Sequence, residues 1–190
     1  DLRAAIAERR VDLVITNPGY YITMEAEFGL SRIATLESPG MPAAKTLGSV
    51  VFTRADRTDL TVIANLAGRR VAAVDPQAFG GYLLAAREML RQGIDPESDL
   101  KELRFVGLPM NRVIDAVRSG EVDAGIVRAC LPEQLARQGE LRLAEFRVLS
   151  HRQEEGLPCA LSTPLYPNWP IAVTRHTDTA LAKEVAHALL

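Results

Sequence analysis

One arginine stands where a sheet could present it to a ligand. Arg128 directly follows the apolar run 123–127, which predicts that its side chain emerges at the carboxyl end of a strand. A guanidinium there could clamp a carboxylate, a sulfonate or another oxyanion through two parallel hydrogen bonds. An arginine at this position could equally be solvated or paired with Glu133. The residue alone does not decide between these readings.

The loop 75–82 offers a second candidate site, built from backbone groups. Gly80 and Gly81 allow backbone N–H groups to approach a ligand closely. The helix expected from Tyr82 onward would add unpaired N–H groups and a positive dipole end, a combination that suits an anion. Gln77 and Phe79 lie in the same loop. The alternative is a plain strand-to-helix turn in which the two glycines serve packing.

A third loop, 16–21, also follows an expected strand. Asn17 could donate to a ligand or simply hold its own turn, and the turn role is the safer interpretation. Tyr20, Tyr21 and Phe79 could wall a pocket. Each of these aromatic residues, taken singly, is more often part of the core or the surface.

Catalysis finds little support in the sequence. The nucleophile elbow, the zinc-protease helix motif and the Walker loop are all absent. The three histidines are scattered, so we expect no metal site and no cofactor. Cys130 and Cys159 could form a disulfide or remain two buried thiols, and both alternatives stay open.

Composition bounds the class of protein. The chain has 190 residues, of which 47% are hydrophobic and 24% charged, as in an ordinary globular domain. Its net charge of -2 and the lack of a basic stripe argue against nucleic-acid binding. No apolar run approaches the roughly 20 residues that cross a bilayer. Because Asp1 opens directly into a helical pattern and Leu190 closes inside one, we expect a segment of a longer protein.

Short apolar runs alternate with amphipathic stretches along the whole chain, which predicts an α/β fold with parallel sheets covered by helices. The expected strands are 11–15, 49–53, 71–74, 104–106, 123–127, 146–150 and 169–174. The expected helices are 2–10, a stretch from Tyr20 onward, 58–66, 82–92, 110–119, 132–139 and a last helix capped by Thr177 or Asp178.

Several of these segments together resemble the phosphate- and phosphonate-binding group of PhnD-like proteins. The quoted stretches are VDLVI at 11–15 with Asn17 and Pro18, residues 48–81, GIDP at 93–96 and VRSGEVDAG at 117–125. The resemblance implies a type II periplasmic binding fold, with two Rossmann-like lobes, a central cleft and two crossover strands near 49–54 and 163–174. Lobe 1 would be 1–52 with 166–190, without its N-terminal strand, and lobe 2 would be 53–165.

The sequence departs from this group where the group's ligand is held. A run of hydroxyl residues usually follows Asp-Pro, but Ala78, Phe79 and Gly80 stand here, so phosphonate is a doubtful ligand and Arg128 could replace the lost donors. The stretches 127–133 and 162–170 look like the extracytoplasmic sensor domains of bacterial histidine kinases related to the tetrathionate sensor. Ser162, which opens the second stretch, joins the ligand-binding candidates.

That second resemblance implies a ligand-binding sensor domain, outside the cytoplasm, of an inner-membrane kinase. Its partners would be a small anionic molecule, with a sulfur oxyanion as one candidate, and the kinase module of the same polypeptide. A homodimer stays open. The alternative is a free substrate-binding protein of an ABC transporter, which would bind its ligand by the same physics.

Overall fold

The computed structural model describes residues 1–38, 43–154 and 156–189. They divide into two compact units. Unit 1 comprises Asp1–Thr46 with Tyr166–Leu190, and unit 2 comprises Leu47–Leu165. The structure therefore groups residues 49–52 with unit 2. The predicted lobe boundaries themselves remain predictions.

The described residues contain eight strands and six α-helices. The strands are β1 (Leu13–Ile15), β2 (Ser31–Thr35), β3 (Ser49–Arg54), β4 (Arg70–Ala73), β5 (Glu102–Phe105), β6 (Ala124–Arg128), β7 (Phe146–Val148) and β8 (Pro170–Val173). The α-helices are α1 (Leu2–Ala7), α2 (Pro18–Phe28), α3 (Leu84–Arg91), α4 (Asn111–Ser119), α5 (Leu131–Arg137) and α6 (Thr179–Ala188). Short 3-10 turns span Ile63–Leu66 and Leu143–Glu145, and a π-helical turn, Phe79–Leu83, leads directly into α3.

Unit 1 is built on a three-stranded antiparallel sheet with the order β1-β8-β2. Its core includes Val14 of β1, Tyr21 and Met24 of α2, and Ala172 of β8. A strand alternates its side chains between two faces, so Leu13 and Ile15 point away from Val14. They are 39% and 55% exposed. The apolar run 11–15 is therefore buried on one face only.

Unit 2 is a five-stranded mixed sheet with the order β5-β4-β6-β3-β7. β4 runs parallel to both β5 and β6, whereas β3 runs antiparallel to β6 and β7. Two apolar clusters form its interior. One contains Val51, Met89 and Ile126, and the other contains Val50, Val113 and Val127. Because Val50/Val51 and Ile126/Val127 are adjacent residues that divide between the two clusters, apolar packing covers both faces of the sheet.

Local signals explain where several helices begin and end. The Asn17 side chain accepts a hydrogen bond from the backbone N–H of Tyr20, and Pro18 occupies the first turn of α2. Gly120 ends α4 in the left-handed conformation, which a glycine adopts without steric cost. Asp178, one of the two predicted caps, accepts from the N–H groups of Ala180 and Leu181.

The structure corrects part of the predicted organisation. The expectation of parallel sheets is wrong for unit 1 and for β3 and β7, because an apolar run records burial but not strand direction. β2 was missed, since its residues SRIAT carry no apolar run. The helix expected at 58–66 is reduced to a 3-10 turn, and the helix expected at 2–10 ends at Ala7. No helix among the described residues is both long and apolar enough to cross a membrane.

Candidate functional site

The carboxyl ends of three strands meet at one edge of the unit 2 sheet. β4, β5 and β6 are mutually parallel, so the segments that follow them, near 74–78, 106–110 and 129–130, emerge on the same side. β3 runs the other way and brings its first residue there, with Ser49 paired to Arg128. We call this place the β6 edge. It is where α/β sheets commonly bind ligands.

Arg128, the last residue of β6, is half-buried at this edge. Its Nη2 donates to Gln134 Oε1 at 2.7 Å, and its Nη1 donates to the carbonyl oxygen of Ala129 at 3.3 Å. Burial lowers the pKa of Arg128 from its ordinary value. The guanidinium nevertheless stays charged at neutral pH. Both acceptors are neutral, so the charge is oriented but not compensated.

The predicted alternative of an Arg128–Glu133 pair is wrong. Glu133 Oε1 accepts instead from the backbone N–H of Ala160 at 2.9 Å. Arg128 forms no ion pair with any carboxylate in the ranges 1–38, 43–154 and 156–189. Gln134, which the sequence analysis missed, holds the guanidinium. The sequence gives little indication of this contact, since the distance from a strand end to a helical residue six positions later depends on how the helix packs.

The two glycines of the loop 75–82 are explained by packing against the protein itself. A Cβ on Gly80 would lie 3.0 Å from the carbonyl oxygen of Gly48 and 3.2 Å from the Cβ of Arg128. A Cβ on Gly81 would lie 2.8 Å from a methyl of Val74. The hydroxyl of Ser49 also donates to the Gly80 carbonyl at 2.6 Å. The glycines thus bring the start of the helix against Arg128, and their contact with a ligand remains a prediction.

The remaining candidates of this loop lie beside the glycines. Gln77 is exposed, and its backbone N–H donates to Asp75 Oδ1 at 2.8 Å, which closes a local turn. Phe79 is half-buried and opens the π-helical turn. Such turns are rare and occur frequently at functional sites. Gln77 and Phe79 therefore belong to the same loop as Gly80, which lies against Arg128 at the β6 edge. Their ligand roles remain predictions.

A groove beside Arg128 adds residues that the sequence analysis did not single out. It has a volume of about 540 Å³. Its lining consists of Arg128 with Leu108, Pro109, Met110, Asn111, Leu131 and Leu135. Leu108 is 67% exposed. The groove combines one cation, one side-chain amide and an apolar wall, and this composition suits an anion that also has an apolar or polarisable part.

Ser162 is corrected by the structure, because its hydroxyl is already used in the interior. It is fully buried, accepts from the Val51 N–H at 2.9 Å and donates to the Leu149 carbonyl at 2.7 Å. These bonds fasten the segment after residue 160 to β3. A hydroxyl so enclosed and so occupied cannot reach a ligand without local unfolding.

Three predicted residues belong to unit 1. Asn17 caps α2, as the turn interpretation expected. Tyr20 packs partly against the unit 1 core. Tyr21 is 7% exposed, and its hydroxyl donates to Glu25 Oε1 at 2.5 Å. Burial, helped by the Glu25 carboxylate, raises the pKa of Tyr21 to about 12. Tyr21 is thus a core residue rather than an exposed pocket wall.

The two cysteines are joined. Cys130 and Cys159 form a disulfide with a Cα–Cα distance of 5.1 Å. Cys130 lies two residues after Arg128, so the bond ties the chain leaving the β6 edge to the segment that carries Ala160. Within the described part of the chain, no group of three or more His, Cys, Asp or Glu residues could hold a metal ion.

Comparison with known proteins gives consistent results. The tetrathionate sensor histidine kinase TtrS of Salmonella typhimurium is 37% identical over 190 residues, which is 99% of this chain and 32% of that protein. The chain therefore spans about a third of the length of this relative. Two solved structures share the fold at low identity. XAC2383 from Xanthomonas citri, bound to ATP, has a TM-score of 0.80 at 21% identity, and the match covers 100% of this chain and 66% of the XAC2383 chain.

The second structure is PhnD1 from Prochlorococcus marinus in complex with methylphosphonate. It has a TM-score of 0.72 at 15% identity, and the match covers 98% of this chain and 66% of the PhnD1 chain. These likenesses show the predicted type II periplasmic binding fold. A family model described as the periplasmic phosphonate substrate-binding protein of ABC transporters matches residues 1–190. The chain belongs to this PhnD-like family of periplasmic binding proteins.

Proposed function

We propose that this chain is the extracytoplasmic sensor domain of a histidine kinase and that it binds a small oxyanion at Arg128. The observation that carries the ligand proposal is the uncompensated charge of that residue. A charge taken partly out of water is costly unless an opposite charge replaces the lost solvation. By contrast, Asp123, which directly precedes β6, forms ion pairs with Arg57 and Arg70.

The surroundings of Arg128 favour an anion that needs few hydrogen-bond donors and has a polarisable body. Gln134 fixes one edge of the guanidinium, and the groove places Leu108, Pro109 and Met110 nearby. The positions that carry hydroxyl donors in phosphonate binders are Ala78, Phe79 and Gly80 here. A sulfonate-type group carries less negative charge on each oxygen than a phosphonate dianion, so it depends less on hydrogen-bond donors. The name of TtrS, the 37% identical relative, makes tetrathionate the first ligand to test.

The sensor assignment is supported by TtrS matching nearly the whole chain, and the family model supports a transporter receptor as the second candidate. A sensor would be the extracytoplasmic part of an inner-membrane protein, with the kinase module of the same polypeptide as its partner. A homodimer would suit such a kinase. The gene distinguishes the two candidates: a transmembrane helix and kinase module encoded after residue 190 would support the sensor, and a stop codon there would exclude it.

Ligand binding is best tested by thermal unfolding with matched anions. We expect tetrathionate to raise the melting temperature in a concentration-dependent way, because a ligand that binds only the folded state stabilises it. Sulfate, thiosulfate, phosphate and methylphosphonate form the comparison series. In Arg128→Ala the shift should disappear, since a charge-assisted bidentate contact contributes several kcal/mol to binding, on the order of 2–5.

The matched control is Arg137→Ala, which removes the same charge from an exposed position of α5, the helix that also carries Gln134. It should keep the shift. If Arg128→Ala retained the full shift, the ligand would not be bound at the β6 edge. If no anion of the series shifted the wild type, the oxyanion proposal would be wrong.

A further inference from the structure

A cavity lies inside unit 2, away from the Arg128 groove. It has a volume of about 130 Å³. Its wall is almost entirely apolar and includes Phe52 of β3, Ile114 of α4, Phe146 of β7 and Leu141. Apolar cavities of about 150 Å³ remain dry in other proteins and bind molecules of the size of benzene. The cavity is therefore large enough for a chain of a few carbon atoms.

One charged side chain lines this apolar cavity. Glu133, in the first turn of α5, directs Oε1 to the Ala160 N–H at 2.9 Å. Its Oε2 is buried and has no hydrogen-bond partner within the described residues. Leaving a buried carboxylate oxygen without a donor costs more than leaving a neutral acceptor so. A ligand with a cationic donor in the cavity would remove that cost once the carboxylate turns toward it.

The mouth of the cavity is also suited to a charged head group. A wider depression of about 560 Å³ adjoins it and shares Glu133, Leu143 and Ala160 with it. That depression is more polar, and Gln153 and Glu154 contribute to its lining. Glu133 thus stands at the boundary between an apolar interior and a polar rim that also carries His151. This arrangement separates the place for an apolar tail from the place for a charged head.

We propose that unit 2 carries a second ligand site, at Glu133, for a small amphiphilic cation such as a short alkylammonium ion. The alkyl chain occupies the cavity between Phe52, Ile114 and Phe146, and the ammonium group donates to the Glu133 carboxylate, which turns toward the cavity to meet it. The charge of the site is opposite to that of the Arg128 groove, so the two sites select different molecules. The inference stands on the cavity and the carboxylate and does not rest on the proposed function.

Methyl NMR tests the site with n-butylammonium as the probe. We expect saturable shifts of the methyl groups of Ile114, Leu141 and Val148, and none at Leu108 or Leu135 in the Arg128 groove. Butyrate has the same chain and the opposite charge, and it should leave the cavity methyls unchanged. Equal binding of butyrate, or no saturable shift with n-butylammonium, would overturn the proposal.

Two variants separate the roles of charge and space. Glu133→Gln keeps an acceptor for the Ala160 N–H but removes the charge, and should weaken n-butylammonium binding at least about tenfold. Ala160→Leu keeps the backbone N–H that Glu133 needs and places a side chain toward the cavity, so it should abolish binding even if the first variant folds poorly. Unchanged affinity in both variants would rule out this site.

Discussion

Arginine side chains at the two ends of β6 differ in whether a carboxylate compensates their charge. At its start, the Asp123 side chain, 14% exposed, accepts from Arg57 Nη1 at 2.8 Å, from the Arg70 backbone N–H at 2.9 Å and from Arg70 Nε at 3.2 Å. At its end, five residues later, the acceptors that Arg128 finds among the described residues are an amide and a carbonyl oxygen. One strand therefore carries a compensated cluster and an uncompensated cation.

This difference separates a structural role from a binding role. Burial acts to raise the pKa of Asp123, but hydrogen bonds from Arg70 and Arg57 outweigh it and hold that pKa well below its ordinary value. At Arg128 burial is the single cause of the pKa shift, and it lowers the pKa. The first cluster satisfies itself within the fold. The second gains its missing partner only from outside, which is the condition for a ligand site.

The largest effect should come from the covalent tie beside Arg128. The Cys130–Cys159 bond closes a sequence separation of 29 residues, and Arg128 at the end of β6 forms no ion pair within residues 1–38, 43–154 and 156–189 that could replace it. We expect Cys130→Ser with Cys159→Ser to lower the free energy of unfolding by about 3 kcal/mol, measured by urea denaturation. Wild-type protein denatured with a reductant is the control and should match the double variant. An unchanged midpoint in both would show that the bond does not stabilise this end of the strand.

The second effect tests the compensated end. Asp123→Asn keeps the shape of the side chain but leaves Arg57 and Arg70 without their shared carboxylate. The free energy of unfolding at pH 7 should therefore fall by about 2 kcal/mol. Because the folded pKa of Asp123 lies below the unfolded value near 3.9, its stabilisation is complete above about pH 4 and disappears as the pH falls toward the folded pKa. The variant should lose this part of the acid dependence.

The control for that measurement is Asp115→Asn, which breaks an exposed ion pair with Arg118. Exposed pairs contribute about 0–1 kcal/mol, so its unfolding curve should nearly coincide with that of the wild type. If Asp115→Asn and Asp123→Asn had equal effects, the distinction between a compensated cluster and an ordinary surface pair would not hold.

The sequence predicted the elements of this strand better than it predicted the contacts at its ends. The run 123–127 appears as β6, and Arg128 does end it, because an apolar run bounded by polar residues directly reports a buried strand. Gln134 was missed, since its contact with Arg128 depends on where α5 packs. Ser162 was misassigned for the same reason: a serine in an irregular segment shows nothing of the Val51 and Leu149 backbone groups that surround it.

Strand direction was the other limit. β3 and β1 were both predicted as strands, but their antiparallel pairing with β6 and β8 depends on long connections. Apolar periodicity contains no information about which way a strand returns. The Gly80–Gly81 pair was left with two interpretations, and the structure accounts for both glycines by close approaches to Gly48, Arg128 and Val74.

A third variant should give Arg128, at the end of β6, a carboxylate partner like the one that Asp123 provides at the start of the strand. Gln134→Glu puts a carboxylate oxygen in place of the amide oxygen that now lies 2.7 Å from Arg128 Nη2, so it compensates the charge as Asp123 does. We expect anion affinity at the β6 edge to fall about tenfold or more, measured by calorimetric titration. Gln138→Glu, which adds the same charge at an exposed position next to the end of α5, should change affinity far less. Equal losses would mean that net charge, rather than occupation of the guanidinium, governs binding.

The smallest effect is on stability and concerns the two arginines directly. Arg128→Met removes an uncompensated, half-buried cation while keeping an unbranched chain, so the free energy of unfolding should stay within about 0.5 kcal/mol of the wild type or rise. Arg57→Met takes a partner from Asp123 and should lower it by about 1 kcal/mol. Without ligand the two urea midpoints should therefore move apart, and with a bound anion Arg128→Met alone should fail to gain stability. A large loss in ligand-free Arg128→Met would mean that Gln134 and Ala129 compensate the guanidinium fully, which would make Arg128 structural, like the arginines at Asp123.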